Sequence, residues 1–108
     1  GYMNQFGNHP TLLIFGQTFT GTYIVPPHTQ VYSEQVRRFR IYDNGKKLKV
    51  KVLASTPKTP DPNFRRRDLN VVPVIQWKNG KLVGGLVAFS GVFTHEPDNS
   101  SWTVPVEI

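Results

Sequence analysis

The chain has 108 residues, a length that suits a single domain and is too short for two independent cores. It contains no cysteine, which excludes disulfide bonds, thiolate metal sites and thiol nucleophiles. The formal net charge of +6 is compatible with an anionic partner, whether nucleic acid, acidic glycan or membrane surface. No apolar stretch approaches the ~20 residues of a spanning helix, and residues 12–15 are too few for a signal-peptide core, so the compartment stays open.

Glycine and proline occupy 18 positions, which favours short strands and turns over long helices. Residues 11–23 are β-branched and aromatic around Gly16 and Gly21, and they predict two short strands ended by Pro26 and Pro27. Residues 28–36 are ambiguous, because Ser33 is a suitable N-cap for a short helix and the polar content does not favour a strand. Residues 55–63 contain three prolines and predict a long loop.

The first hairpin signal is Asn-Gly at positions 44–45, between two runs of alternating polarity. A two-residue turn there predicts that Arg40 lies opposite Lys49 and Arg38 opposite Lys51. One face of this hairpin is then apolar and the other cationic. The apolar residues are Phe39, Ile41, Leu48, Val50 and Val52.

A second Asn-Gly, at positions 79–80, predicts another hairpin, with a bulge or bend at Gly84-Gly85. A polar turn at residues 95–101 precedes a last strand predicted over residues 102–108. The sequence therefore predicts one all-β domain over residues 1–108, an antiparallel barrel or sandwich of seven or eight strands.

The basic residues are segregated along the chain. Residues 37–67 hold eleven of the thirteen Lys and Arg residues but two of the seven acids, a net charge of +9 against −3 elsewhere. Like charges on facing strands are destabilising, so we expect a polyanion to offset their repulsion, nucleic acid before glycan or membrane. The predicted binding residues are Arg38, Arg40, Lys47, Lys49, Lys51, Arg65, Arg66 and Arg67. Tyr32, Tyr42 and Phe64 are the candidates for stacking on bases.

Three other hypotheses compete with polyanion binding. Lysines on an exposed strand also protect a sheet edge against aggregation. A structural subunit of a virion or other large assembly would use the same hairpin and proline loop for contacts between copies, which makes the chain a homo-oligomer. A small-ligand barrel is the third alternative.

Catalytic chemistry finds no support in the sequence. His9, His28 and His95 lack the spacing of metal ligands, and the acids are not arranged as a pair for general acid and base catalysis. His95, Glu96 and Asp98 are more typical of a solvated turn than of a cation site. Glycine-rich phosphate-binding motifs are missing from the sequence, so we predict a non-enzymatic binding protein with no cofactor and no metal.

Residues 2–8 (YMNQFGN), 19–23 (FTGTY) and the aromatic series in VIQWKN, AFSG and SSWTV resemble the avidin and streptavidin family. The resemblance covers about 1–25 and 71–105 and implies an eight-stranded barrel with a pocket at one mouth. It implies that Asn4 and Tyr23 bind a ureido group and that Trp77, Phe89 and Trp102 line the pocket. The chain departs from the family at Tyr2, which replaces a tryptophan, and lacks its aspartate-bearing last strand. A strict turn at 79–80 also separates Trp77 from Phe89 onto opposite faces unless Gly84-Gly85 forms a bulge.

Overall fold

A computed structural model of the chain describes residues 1–94 and 100–108. Over these residues the protein is all-β, with three antiparallel sheets, one 3-10 turn and no α-helix. None of the three sheets is closed into a barrel. Contacts divide the chain into an N-terminal unit, residues 1–65, and a C-terminal unit, residues 66–108. The single cooperative domain over residues 1–108 stays a prediction. In the described part of the chain, we find no helix with the length and apolarity needed to cross a membrane.

The N-terminal unit contains six strands in two sheets. The four-stranded sheet has the order β1-β2-β5-β6, and β3 and β4 form a separate hairpin. The strands are β1 (Tyr2–Asn4), β2 (Thr11–Ile14), β3 (Gln17–Thr22), β4 (Val25–Tyr32), β5 (Val36–Asp43) and β6 (Leu48–Thr56). The break at Phe15 and Gly16, both with positive φ, separates β2 from β3 as predicted.

Residues 28–36, which the sequence left ambiguous, form no helix. They contain the end of β4 and the start of β5, and Ser33 caps no helix there. Pro26 and Pro27 lie inside β4 rather than after the preceding strand. A two-stranded ribbon has two edges, and an edge position accepts proline because no ladder hydrogen bond is lost there.

The β5–β6 hairpin forms with a longer loop than predicted. Asp43 pairs with Leu48, so four residues form the loop. Arg40 therefore lies opposite Lys51 instead of Lys49, and Arg38 lies opposite Leu53 instead of Lys51. A two-residue turn of type I′ needs positive φ at both central residues, and of Asn44 and Gly45 only Gly45 adopts it. The Asn44 side chain instead accepts hydrogen bonds from the backbone N–H groups at positions 46 and 47, at 2.9 and 2.8 Å, which stabilises the wider loop.

The core of the N-terminal unit is small. Ile14, Phe15 and Val36 are its buried apolar side chains, and the ring of Phe64 contacts that of Phe15 with centroids 5.2 Å apart. Phe64 ends the 3-10 turn Pro62–Phe64, which interrupts the predicted proline loop and places this ring against the core.

The C-terminal unit is a three-stranded sheet of order β7-β8-β9, with β7 (Asn70–Lys78), β8 (Lys81–Phe89) and β9 (Val106–Glu107). Asn79 and Gly80 both have positive φ, which confirms the predicted two-residue turn. Pairing is regular along the whole hairpin, so the bulge expected at Gly84-Gly85 does not form. Gly85 lies against the C-terminus, where an added Cβ would stand 3.3 Å from the carbonyl oxygen of Ile108. The last strand is shorter than predicted.

Candidate functional site

Four basic residues share one face of the β5–β6 hairpin. Arg38 and Arg40 alternate along β5, Lys49 and Lys51 alternate along β6, and the pairing of Arg40 with Lys51 fixes all four on the same side. We call these four residues the cationic face. The shift of two positions relative to the predicted register leaves this face intact, because side chains alternate with a period of two.

The two arginines of the cationic face are held by hydrogen bonds to uncharged groups. Arg40 donates from Nη1 to the carbonyl oxygen of Asn8 at 3.0 Å, and Arg38 donates to the hydroxyl of Thr56. A guanidinium has five N–H donors, so each arginine keeps donors for an external anion. These bonds orient the charges without neutralising them.

No carboxylate neutralises the cationic face within residues 1–94 and 100–108. The ion pair found there joins Arg67 and Asp68, at 3.7 Å from Nε to Oδ1. Asp43, the nearest acid along the hairpin, lies on the opposite face by strand alternation, and its carboxylate accepts the backbone N–H of Gly45 at 2.8 Å. Arg40, Lys49 and Lys51 are exposed, so their charges are available to solvent.

The loop at the tip adds Lys47, which is exposed between the two strands. Tyr42 lies on the cationic face directly opposite Lys49, with half of its surface exposed. This is the one predicted stacking residue that the structure places beside the cationic face.

Tyr32 and Phe64 have other roles in the N-terminal unit. The guanidinium of Arg65 lies 4.8 Å from the centroid of the Tyr32 ring, a cation–π geometry. Phe64 packs on Phe15, as described above. Because these rings contact protein groups, we leave both out of the proposed binding surface.

The arginines at positions 66 and 67 belong to the C-terminal unit and also lie over aromatic rings. Arg67 is 5.8 Å from the ring centroid of Phe93. Arg66 is 4.5 Å from that of Trp102, and its Nη1 donates to the carbonyl oxygen of Ser90 at 3.1 Å.

Arg66 is buried, with 2% of its surface exposed, and burial lowers the pKa of its guanidinium. Gly91 makes room for it: an added Cβ would stand 3.0 Å from the Cβ of Arg66, and the φ of Gly91 is +103°. A side chain enclosed in this way cannot reach a polymer in solution. Arg66 is therefore a core residue of the C-terminal unit, and the surface proposed below does not include it.

The residues implied by the avidin resemblance are distributed over both units. Asn4 donates to the hydroxyl of Tyr2 at 3.1 Å, and Tyr23 is exposed at the turn of the β3–β4 hairpin. In the C-terminal unit, the regular pairing of β7 with β8 places Trp77 and Phe89 on opposite faces of the hairpin. Trp102 lies beneath the guanidinium of Arg66.

His95, Glu96 and Asp98, the turn considered above, lie outside the described residues. Among the described residues, no group of three or more histidine, aspartate and glutamate side chains is arranged to hold a metal ion.

Sequence reasoning missed the charges on the apolar side of the hairpin. Arg37 and Asp43 share a face with Phe39 and Ile41 along β5, one at each end of the apolar pair. Alternation along residues 37–43 places Arg37 and Asp43 on the apolar side, and this signal was available in the sequence. It was missed because the basic residues were counted by segment and not by face.

Comparison of the chain with protein-family models, with curated proteins and with solved structures found no match in any of the three.

Proposed function

We propose that this protein is a non-catalytic binding protein that engages nucleic acid through the cationic face of the β5–β6 hairpin. The observation that carries the proposal is the arrangement of Arg38, Arg40, Lys49 and Lys51 on one side of the β5–β6 hairpin with no carboxylate among them. On this face Arg40 and Lys51 are directly opposite each other, and a facing pair of cations costs a fold roughly 0.2–1 kcal/mol. Binding of a polyanion offsets that cost.

Affinity comes mainly from the release of counterions. Each lysine or arginine that neutralises a phosphate displaces a condensed cation from the polymer, which gives strong dependence on salt and little dependence on base sequence. Alternate residues of a strand are about 6.6 Å apart and the two strands about 4.8 Å apart, so the four charges form a compact patch that follows a polymer backbone.

Two features favour nucleic acid over the other polyanions. The exposed ring of Tyr42 lies among the charges, where it offers a base a stacking surface. Beyond the end of β2, residues 40–51 form a two-stranded ribbon, which has the dimensions that the major groove of a duplex admits.

The experiment is direct binding of a fluorescent oligonucleotide, as single strand and as duplex, at low and moderate salt. We expect binding at low salt that weakens steeply as salt rises. Heparin, a glycan polyanion, is the competitor. Tighter binding of the oligonucleotide than of heparin of equal charge agrees with the proposal. Absence of binding at low ionic strength, or affinity independent of salt, contradicts it.

The described residues give no support to a small-ligand barrel, since no sheet is closed and the aromatic series does not converge on one face. We therefore propose no ligand pocket.

A further inference from the structure

The side of the hairpin opposite the cationic face is apolar and exposed. Phe39 and Ile41 of β5 lie beside Val50 and Val52 of β6, and Leu48 continues the surface toward the loop. Leu13 and Met3 extend it across β2 and β1 at the base of the hairpin. We call these seven residues the apolar face.

The apolar face is unusual for a surface in contact with water. Val52 is 76% exposed and Leu48 73%, and Met3, Ile41 and Val50 are also more than half exposed. Across the described residues, six apolar side chains are buried whereas nineteen large hydrophobic side chains are exposed. A contiguous apolar patch of this kind marks an interaction surface.

The charges at its two ends identify the partner. Along β5 the face carries Arg37, Phe39, Ile41 and Asp43 in that order, so a cation and an anion lie about 20 Å apart with apolar residues between them. Within the described part of the chain, neither Arg37 nor Asp43 forms an ion pair. We propose that this face binds a second copy of the same chain, with the two β5 strands antiparallel across a two-fold axis.

The antiparallel orientation pairs the charged residue at each end of the apolar face with one of opposite charge. With the axis passing at the level of Arg40, Arg37 of each copy lies over Asp43 of the other, and Phe39 lies over Ile41. The parallel alternative places Arg37 on Arg37 and Asp43 on Asp43, which is repulsive at both ends. The strands of two aligned, packed sheets cross at about 30°. Residues that lie about 10 Å from the two-fold axis along each strand are therefore displaced sideways from their partners by about 5 Å, which an arginine side chain can span.

The shape of the face agrees with this arrangement. It is two strands wide at the tip and four at the base, where Leu13, Phe39, Val50 and Val52 line a shallow groove. In the antiparallel dimer the narrow tip of one copy lies over the groove of the other. The face contributes seven apolar residues, fewer than the about 20–30 residues a side of a standard interface, so we expect a weak dimer with dissociation on the order of micromolar. The cationic faces remain on the two outer sides, so this inference does not depend on nucleic acid binding.

Sedimentation equilibrium of the full chain over a range of concentrations tests the proposal. We expect the average mass to rise from that of one copy toward that of two. Ile41→Thr combined with Val50→Thr removes apolar contact while keeping β-branched residues, and it should abolish the rise. Ile75→Thr with Leu82→Thr is the matched control, since both residues are exposed in the C-terminal unit, and it should leave association unchanged.

Charge reversal separates the proposal from simple loss of folding. Arg37→Glu alone and Asp43→Lys alone each place like charges together in a homodimer, so each variant should be monomeric. Mixing the two variants restores opposite charges at both ends, and a dimer containing one copy of each should form. A wild-type chain that stays monomeric, association unaffected by Ile41→Thr with Val50→Thr, or a mixture that fails to associate would overturn the proposal.

Discussion

Replacing Lys49 and Lys51 by glutamine removes half of the cationic face without touching the core, because both side chains are exposed. If four phosphates are neutralised, the logarithm of affinity for a single strand falls with the logarithm of salt at a slope of about −2.8. With two contacts left, the slope becomes about −1.4. A rise in salt from about 50 to 200 mM should then weaken the wild type roughly 50-fold and the variant about 7-fold.

The matched control is Lys78→Gln with Lys81→Gln. These two lysines are also exposed and also directly opposite each other, at the tip of the β7–β8 hairpin, so the change in net charge is the same. Fluorescence anisotropy of a labelled single strand over a salt series gives both slopes. The reasoning is refuted if the two double variants lower the slope equally, because binding would then depend on net charge rather than on the cationic face.

Tyr42→Ala should weaken binding of a single strand by about 1–3 kcal/mol, the value of one base stacked on an aromatic ring, whereas equal affinity for the variant would remove Tyr42 from the site. Phe64→Ala should leave affinity unchanged and lower the free energy of unfolding by about 2–3 kcal/mol, measured in urea, because its ring packs on Phe15. Gly91→Ala should cost about 1–3 kcal/mol of stability through its positive φ and its contact with Arg66, and a variant with an unchanged melting temperature would contradict that packing. Asn44→Ala should cost about 1 kcal/mol, since two backbone N–H groups lose their acceptor, and a stability equal to that of the wild type would argue for a different loop.

The two strands of the β5–β6 hairpin and its cationic face followed from local pattern. Alternation along residues 38–52 assigns Arg38 and Arg40 to one side and Phe39 and Ile41 to the other, and a register shift of two positions does not change that assignment. The all-β class and the turn at Asn79-Gly80 were predictable for the same reason, since they depend on neighbouring residues alone.

The Asn-Gly dipeptide occurs at positions 44–45 and 79–80 and forms a different loop at each. At Asn79-Gly80 both residues take positive φ, whereas at Asn44-Gly45 the amide of Asn44 binds two backbone N–H groups and a four-residue loop results. A turn signal therefore locates a hairpin more reliably than it fixes the register. The facing partner of Arg40 was decided by these side-chain bonds.

The sequence by itself determined which residues alternate onto each face of the hairpins, because the period of a strand is a local property of the backbone. Only the tertiary structure decided what happens to Arg66 and Phe64, which look like surface and stacking residues in a basic segment. Their surroundings are Trp102 and Gly91 for Arg66 and Phe15 for Phe64, residues 25 or more positions away in the chain. Burial depends on such distant partners, and no local pattern contains them.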